Sequence, residues 1–296
     1  MKSVKNFDLK NFNTFRISSI ADIAYFPANL DEFTELLKTL ENPFILGGGS
    51  NILLSSSGIE APVILTHDIN KMEFEKNILT LEAGVKTPLA ARFALENSFS
   101  GFEFLIAIPG SIGGAVTMNA SAHSQAISDT FMSAKLFDMQ SKNVVEFSHK
   151  EMDFGYRTSA LKGGKYLFLE GKFLLSSLSK NKIKQKMDAN LEYRTKHQPS
   201  LKTPNAGSIF KNPAGTSAGK LIQDCGLKGT KIGGAEISTL HGNFIINNGS
   251  AKSTDIARLM LLAYNEVKSQ TNIELEPEII FAGRKSDLEE EIWKKM

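Results

Sequence analysis

Three consecutive glycines, Gly47, Gly48 and Gly49, stand between the apolar runs Phe44-Ile45-Leu46 and Ile52-Leu53-Leu54, with Ser50 and Asn51 directly after them. A strand that breaks into glycines can turn sharply. Without side chains in the way, its N–H groups can close around an anion. Ser50 and Asn51 add a hydroxyl and an amide donor, so the run suits a loop that holds phosphate or pyrophosphate. Taken alone, it equally suits a tight turn with no ligand. A second loop of this kind, PGSIGG, comprises Pro109, Gly110, Ser111, Ile112, Gly113 and Gly114, with Asn119 just beyond. Two such loops could grip the two ends of an extended ligand, and a dinucleotide meets that demand.

The common nucleotide signatures are absent. Neither loop reads GxGxxG. The stretch GTSAGKL (215–221) is one residue short of a P-loop and carries Leu221 where Ser or Thr would bind magnesium. Pro109 occupies the position of PGSIG where a nucleophile elbow requires glycine.

Three further clusters carry chemistry. In DFGYRTSALK (153–162), Arg157 is permanently charged and forks to match a carboxylate; alone, it also suits a surface arginine in a turn. In NAGSIFKNP (205–213), Gly207 permits close approach of the chain, Ser208 follows with a hydroxyl, and Lys211 and Asn212 suit phosphate or carbonyl recognition. A lone serine is usually structural. In IELEPEII (273–280), Glu276 and Glu278 alternate with apolar residues and fall on one face of a strand. Two acids on one face are commonly just solvated.

Composition sets the bounds. At 296 residues the chain can hold two or three cores. Hydrophobic residues at 42% and charged residues at 22% match a globular protein, and a net charge of +2 is too mild for a nucleic-acid surface. A single cysteine, Cys225, excludes an intrachain disulfide. The five histidines stand apart from one another and from Cys225, so no metal site is expected. The N-terminus lacks a signal-peptide core, and no stretch approaches a membrane span, so a cytoplasmic protein is expected.

The elements that must position these residues alternate between helix and strand. Asn29 and Glu32 resemble a capping box ahead of Phe33, Leu36, Leu37 and Leu40, which recur at helical spacing. Strands are expected at 62–65, 78–85, 133–138, 143–147, 166–175 and 273–281. Thr87-Pro88 starts a helix continued by 89–97, residues 179–194 have helical composition, and 197–207 reads as a junction loop. Ala218 to Asp224 should be helical. Ser253 or Thr254 should cap a longer helix that buries Ile256, Leu259, Met260, Ala263 and Val267. A polar tail follows Gly283.

The ordered set resembles the UDP-N-acetylenolpyruvoylglucosamine reductase family. The resemblance is carried by NTFRI (13–17), ILGGGSNIL (45–53), IPGSIGGAVTMNA (108–120), FGYRTSALK (154–162) and NAGSIFKNP (205–213). It continues through AGKLIQDCGLKGTKIGGAEIS (218–238), HGNFIINNG (241–249) and IELEPE (273–278). It spans nearly the whole chain and is closest to the branch that lacks an extra substrate-gating loop. It implies an α+β, three-domain FAD-binding fold of the vanillyl-alcohol-oxidase/PCMH type with a C-terminal α/β substrate domain. Residues 1–66 plus 274–296 would form the first FAD-binding subdomain, 67–178 the second, and 179–273 the substrate-binding domain.

The resemblance further implies that NADPH reduces the flavin and that the enolpyruvyl group of a UDP-sugar is reduced to UDP-N-acetylmuramate for peptidoglycan. Hydride would come from flavin N5 and the proton from Ser208, with the enolate stabilised by Arg157 and Glu278. The FAD would sit on Gly47, Gly48, Gly49, Ser50, Asn51, Pro109, Gly110, Ser111, Gly113, Gly114 and Asn119. It would be non-covalent, because GGGSN contains no histidine. Lys196, Lys211 and Asn212 are the expected substrate contacts. No nucleic acid, membrane or obligate protein partner is expected. Two positions depart from the family pattern. Ile280 stands where an arginine is usual, which makes Arg284 a candidate replacement, and Ala122-His123 replaces a glycine–tyrosine-like pair. The rival enzyme is another FAD-dependent oxidoreductase of the same fold. A nucleotide-binding module without catalysis would have no need to keep Arg157, Ser208 and Glu278 together.

Overall fold

The structure is a computed structural model that describes residues 1–296. Seven α-helices are present: α1 (Leu30–Thr39), α2 (Thr87–Glu96), α3 (Ile112–Thr117), α4 (Lys180–His197), α5 (Ala218–Asp224), α6 (Ser253–Thr271) and α7 (Asp287–Lys295). With the strands between them they make an α+β protein. The chain divides into two compact units. Unit 1 comprises Met1–Ser3, Tyr25–Gly48 and Val63–Arg194; unit 2 comprises Val4–Ala24, Gly49–Pro62 and Thr195–Met296.

Unit 1 is built on a five-stranded antiparallel sheet, ordered Asn143–Ser148, Phe131–Asp138, Tyr166–Leu174, Ile78–Glu82 and Met72–Glu75. Successive residues of a strand face opposite sides, and here that alternation sorts neighbours into two cores. Leu136 and Phe168 join Leu79, Leu81, Phe102 and Phe104. Phe137 and Leu169 instead join Phe33, Leu36 and Leu37 of α1 and Ile64. Each fully buried Phe or Leu contributes about 1.5–3 kcal/mol through removal from water. Helix α1 starts as expected: Asn29 Oδ1 accepts from the Glu32 N–H at 2.9 Å. The Glu32 carboxylate reaches back to the Ala28 N–H at 3.0 Å, one residue earlier than a capping box would place it.

Two local features bring the glycine loops into position. Phe44–Leu46 pairs in parallel with Val63–Leu65 and ends at Gly47. At the start of α2, Thr87 donates from its N–H to the Gly110 carbonyl at 3.2 Å and from its hydroxyl to the Ile108 carbonyl at 2.5 Å. Pro88 fits the first turn of α2, where no N–H is required.

Unit 2 packs α5 and α6 on an antiparallel meander of Lys231–Ile232, Ala235–Ile237 and Ile245–Asn247. Ile256, Leu259, Met260, Ala263 and Val267 of α6 are buried with Phe15, Ile17, Phe210, Ile222 and Leu275. Ile280–Ala282 pairs in parallel with Ile52–Leu54.

Four sequence expectations are corrected here. Helix α6 is capped by Asp255, whose Oδ2 accepts from the Lys252 N–H at 3.0 Å and the Gly234 N–H at 3.2 Å. Ser253 instead exchanges two hydrogen bonds with Ser56, at 2.9 and 2.8 Å. The strand expected over 273–281 shrinks to Ile280–Ala282, because Pro277 has no N–H to donate and the backbone on either side of it bonds to Ile209 and Lys211 instead. The expected polar tail is α7, started by Ser286 and Glu289 in a reciprocal cap and anchored by Trp293 on Phe281 with centroids 5.0 Å apart. Helix α4 runs to His197, beyond the expected end at 194. No helix is long and apolar enough to cross a membrane.

Unit 1 also buries an acid. Glu103 is 1% exposed and accepts from the Ser100 hydroxyl at 2.5 Å and the Gly101 N–H at 2.7 Å, with Lys186 Nζ at 3.5 Å. Desolvation pushes its carboxyl up, but the bonds from Ser100 and Gly101 and the charge of Lys186 outweigh it and hold the group below the ordinary carboxylate value. A depressed carboxyl contributes stability above its unfolded value that is lost as pH falls through the folded one. Glu103→Gln is therefore expected to destabilise the neutral protein by about 1–3 kcal/mol. It should also flatten the fall of melting temperature on acidification, which thermal scans between pH 7 and pH 3 would measure.

Candidate active site

The first glycine loop is shaped by the absence of side chains. A Cβ on Gly47 would lie 2.4 Å from Ser111 Oγ, and one on Gly48 would lie 2.6 Å from Gly110 Cα. The two loops of unit 1 therefore meet backbone to backbone; they abut rather than stand at opposite ends of an extended ligand. In unit 2, Gly49 sits at φ +60° with Phe12 O only 2.2 Å from a would-be Cβ, and its carbonyl accepts from the Thr14 N–H at 3.0 Å.

The loop N–H groups divide into two sets. Those of Ile112 and Gly113 are committed to the Val85 and Ala83 carbonyls, at 2.8 and 3.0 Å. Those of Gly47, Gly48, Gly49, Gly110 and Ser111 donate to no carbonyl of the chain. Gly114 lacks a packing reason to be glycine, since a Cβ there would meet only Ser111 Oγ at 3.6 Å. Unused donors in a crevice that side chains would fill, with a glycine that the chain itself does not demand, fit a bound pyrophosphate.

Asn119 and Arg157 belong to one arrangement in unit 1. Asn119, at φ +42°, donates from Nδ2 to the Gly155 carbonyl at 3.0 Å and accepts from the Ser128 N–H at 3.3 Å. Ser159 Oγ donates to the Thr117 carbonyl at 2.9 Å. The end of α3 thus fastens both sides of the turn that carries Arg157. Arg157 itself adopts φ +55°, lies against the Tyr156 ring and donates from Nη1 to Ser121 Oγ at 2.7 Å. Asn119, expected among cofactor contacts, has its amide committed to holding this turn.

Ser208 and Glu278 are brought together in unit 2. The Ile209 carbonyl accepts the Glu278 N–H at 2.8 Å, and the Lys211 N–H donates to the Glu276 carbonyl at 2.8 Å. Asn51, expected at the cofactor, donates from Nδ2 to the Glu278 carbonyl at 3.2 Å, and its own carbonyl accepts the Ile280 N–H at 3.1 Å. Upstream, Asn205 Oδ1 accepts the Gly207 N–H at 2.9 Å, and Gly207 adopts φ +73° beside open space. The Ser208 hydroxyl is half-buried and makes no hydrogen bond within the chain. Lys211 Nζ is ion-paired to Glu276, and Asn212 Oδ1 accepts the Ala218 N–H at the start of α5, at 3.1 Å. The acid expected to share a face with Glu278 is thus exposed and paired with a lysine.

Arg284 does not stand in for the arginine missing at 280. Its guanidinium is held by Asp22 at 2.8 Å, Glu60 at 2.8 Å and the Ser57 carbonyl at 3.2 Å, so its charge is already matched. His123 adopts φ +53° and meets Tyr193 edge-on at 5.2 Å, while Lys196 is exposed near the end of α4.

Two further candidates go beyond the residues singled out from the sequence: Arg194 lies outside every motif, and His241 opens HGNFIINNG (241–249). Arg194 of unit 1 donates from Nη1 to the Ala107 carbonyl at 2.8 Å, two residues before Pro109, while its buried Nε finds no acceptor. Burial pushes its guanidinium below the ordinary value, yet an arginine stays charged. A part-buried cation with no acidic partner beside the second loop suits an anionic ligand. In unit 2, His241 is pushed down by burial and by the charge of Lys228, so its neutral Nδ1 accepts the Asn243 N–H at 3.2 Å.

Comparisons agree with this geometry. Residues 21–147 match the family described as FAD binding domain, and residues 198–282 match that described as UDP-N-acetylenolpyruvoylglucosamine reductase, C-terminal domain. The UDP-N-acetylenolpyruvoylglucosamine reductase of Clostridium novyi (strain NT) is 37% identical over 286 residues, covering 95% of this chain and 92% of the relative. That of Caldicellulosiruptor bescii is 39% identical over 285 residues, covering 95% and 90%. The crystal structure of UDP-N-acetylenolpyruvylglucosamine reductase from Thermus caldophilus superposes with a TM-score of 0.82 at 30% identity, covering 95% of this chain and 98% of that one.

Fold and loops together define a flavoenzyme, an oxidoreductase that works with FAD. Within that class, the chain belongs to the UDP-N-acetylenolpyruvoylglucosamine reductase family.

The loop contacts make a paired prediction. A methyl group on Gly48 must displace the backbone of Gly110, whereas one on Gly114 meets no close atom of the chain. Gly48→Ala should weaken FAD binding at least about tenfold, because misplaced loops lose preorganised donors. Gly114→Ala should leave the melting temperature unchanged or higher, since alanine favours helix, yet still weaken FAD. Flavin fluorescence titration of the apoprotein measures both; normal FAD affinity in Gly114→Ala would show that this glycine does not face the cofactor.

Proposed function

We propose that the protein reduces the enolpyruvyl ether of UDP-N-acetylglucosamine enolpyruvate to UDP-N-acetylmuramate, a peptidoglycan precursor, in the cytoplasm with NADPH as reductant. The observation that carries this reading is the unpartnered Ser208 hydroxyl, held by backbone pairing beside Glu278. A reaction that ends in protonation of carbon needs such a donor; alcohol oxidation on a flavin fold does not. Family membership supports the same substrate.

FAD, when bound, supplies the redox chemistry by accepting hydride from NADPH and passing it to the terminal enolpyruvyl carbon. The residues that would hold it non-covalently are Gly47 to Gly49, Ser50 and Asn51, with Pro109 to Ser111, Gly113 and Gly114. Asn119 contributes through the Gly155 turn. In this reading, residues 1–66 with 274–296 and residues 67–178 serve the flavin, and 179–273 serve the substrate.

Arg157 offers a fixed positive charge to the substrate carboxylate, where negative charge accumulates as the enolate forms. Its left-handed backbone and its bond to Ser121 limit the positions it can adopt. Glu278 polarises the same carboxylate from a backbone held by Asn51 and Ile209. Ser208 Oγ delivers its proton to the carbon adjacent to the carboxylate and is reprotonated from water. A serine is a weak acid, so the transfer must be coupled to the charge that Arg157 and Glu278 stabilise. Lys196, Lys211 and Asn212 are assigned to the UDP-sugar. Lys211 would exchange its exposed partner Glu276 for a phosphate oxygen.

The purified protein should be yellow, bleach with NADPH without oxygen, and recolour on addition of the enolpyruvyl sugar nucleotide. Recolouring by some other electron acceptor, with none from that nucleotide, would assign it to another oxidoreductase of the same fold. Ser208→Ala should leave flavin reduction intact and slow reoxidation about 10²-fold or more. Glu278→Gln should slow the same step by about tenfold, since it retains a hydrogen-bond donor but not the acid.

A further inference from the structure

Ser208 does not hold its own position. The two residues after it are gripped by one side chain. Asn243 is 2% exposed, and its carboxamide pairs with both polar groups of a single residue. Oδ1 accepts the Phe210 N–H at 2.9 Å, and Nδ2 donates to the Phe210 carbonyl at 2.8 Å. The Asn243 backbone carbonyl accepts the Ile209 N–H at 3.0 Å. Asn243 is itself fixed by the bond from its N–H to His241 Nδ1. Of the polar side chains, only a carboxamide presents a donor and an acceptor as such a fork, and here it acts as a one-residue strand partner. The Ile209 carbonyl, on the far side of the same peptide, takes the Glu278 N–H. Ser208 is thus suspended between Asn205, which holds Gly207, and Asn243, which holds Ile209 and Phe210, while its hydroxyl is left without a bond in the chain.

We infer that Asn243 is the positioning residue of the Ser208 proton donor. It touches neither substrate nor cofactor in this reading. It fixes the backbone dihedrals from which Oγ projects, and through the Ile209 peptide it keeps Ser208 in register with Glu278. Loss of the fork would let the 208–210 segment drift while the apolar burial of Ile209 and Phe210 keeps the fold intact. A misplacement near 1 Å suffices to slow a positioned step by about 10²-fold.

This inference rests on the proposed function, so its test carries its own control. Asn243→Ser removes the fork; Asn243→Asp retains the acceptor for the Phe210 N–H and serves in its place if the serine variant fails to hold flavin. Flavin reduction by NADPH should stay within about twofold of the parent. Reoxidation by the enolpyruvyl nucleotide should fall about 10–100-fold, with a larger solvent deuterium isotope effect. In the Ser208→Ala background, the Asn243 substitution should add nothing, because a residue acting only through Ser208 has nothing left to position. Additive losses, or equal losses in both half-reactions, overturn the positioning role and make Asn243 merely structural. If Ser208→Ala itself leaves reoxidation untouched, the proposed reaction fails first.

Discussion

The contact between Gly48 and Gly110 constrains everything the first unit can do. Two backbones at van der Waals distance leave no room for even a methyl group, so both loops are glycine where they touch. The contact closes a crevice whose N–H groups are unused by the chain, and the surrounding elements serve it. The parallel strand pair ends at Gly47, Thr87 holds Ile108 and Gly110, and Val85 and Ala83 take the neighbouring N–H groups. Donors oriented during folding need no reorganisation when an anion arrives.

The second unit solves a different problem with the same device. Its acid and its hydroxyl come from segments about 70 residues apart in sequence, and backbone bonding, rather than a regular sheet, sets them side by side. Asn51, Asn205 and Asn243 each supply an amide where strand pairing is missing. Pro277, which has no N–H to donate, limits the pairing of this stretch with 209–211 to an isolated bridge with Phe210 and the bonds that flank it.

Local chemistry was legible in the residues, and non-local chemistry was not. The Asn29 start of α1, the proline in the first turn of α2, the bounds of α5 and the buried face of α6 follow from neighbours in sequence and appear in the structure as read, although Glu32 reaches back to Ala28 rather than closing a full capping box. Serine and threonine ahead of Asp255 mask it as the cap of α6, and only the fold shows that Ser253 is taken by Ser56, 197 residues away. Nothing near Asn51 in sequence shows that its Nδ2 bonds to the Glu278 carbonyl, 227 residues on. Helix α7 escapes a reading of the tail as merely polar, because its charged sequence hides both the Ser286–Glu289 cap and the two apolar residues, Ile292 and Trp293, that dock it. Arg194 sits in a strongly charged helix, where nothing local marks it as an arginine whose Nε is buried without an acceptor.

The left-handed backbone at Arg157 has a consequence for how this enzyme spends conformational freedom. A residue with a Cβ at that φ costs roughly 1 kcal/mol, and an arginine carries about 2 kcal/mol of rotamer entropy. Much of both is surrendered when the turn forms, under the hold of Asn119 and Ser159. In the proposed reaction, a guanidinium immobilised beforehand behaves like an electrode of fixed placement. Its attraction rises with the charge that appears on the carbon skeleton and is not diluted by freezing a flexible arm during each turnover.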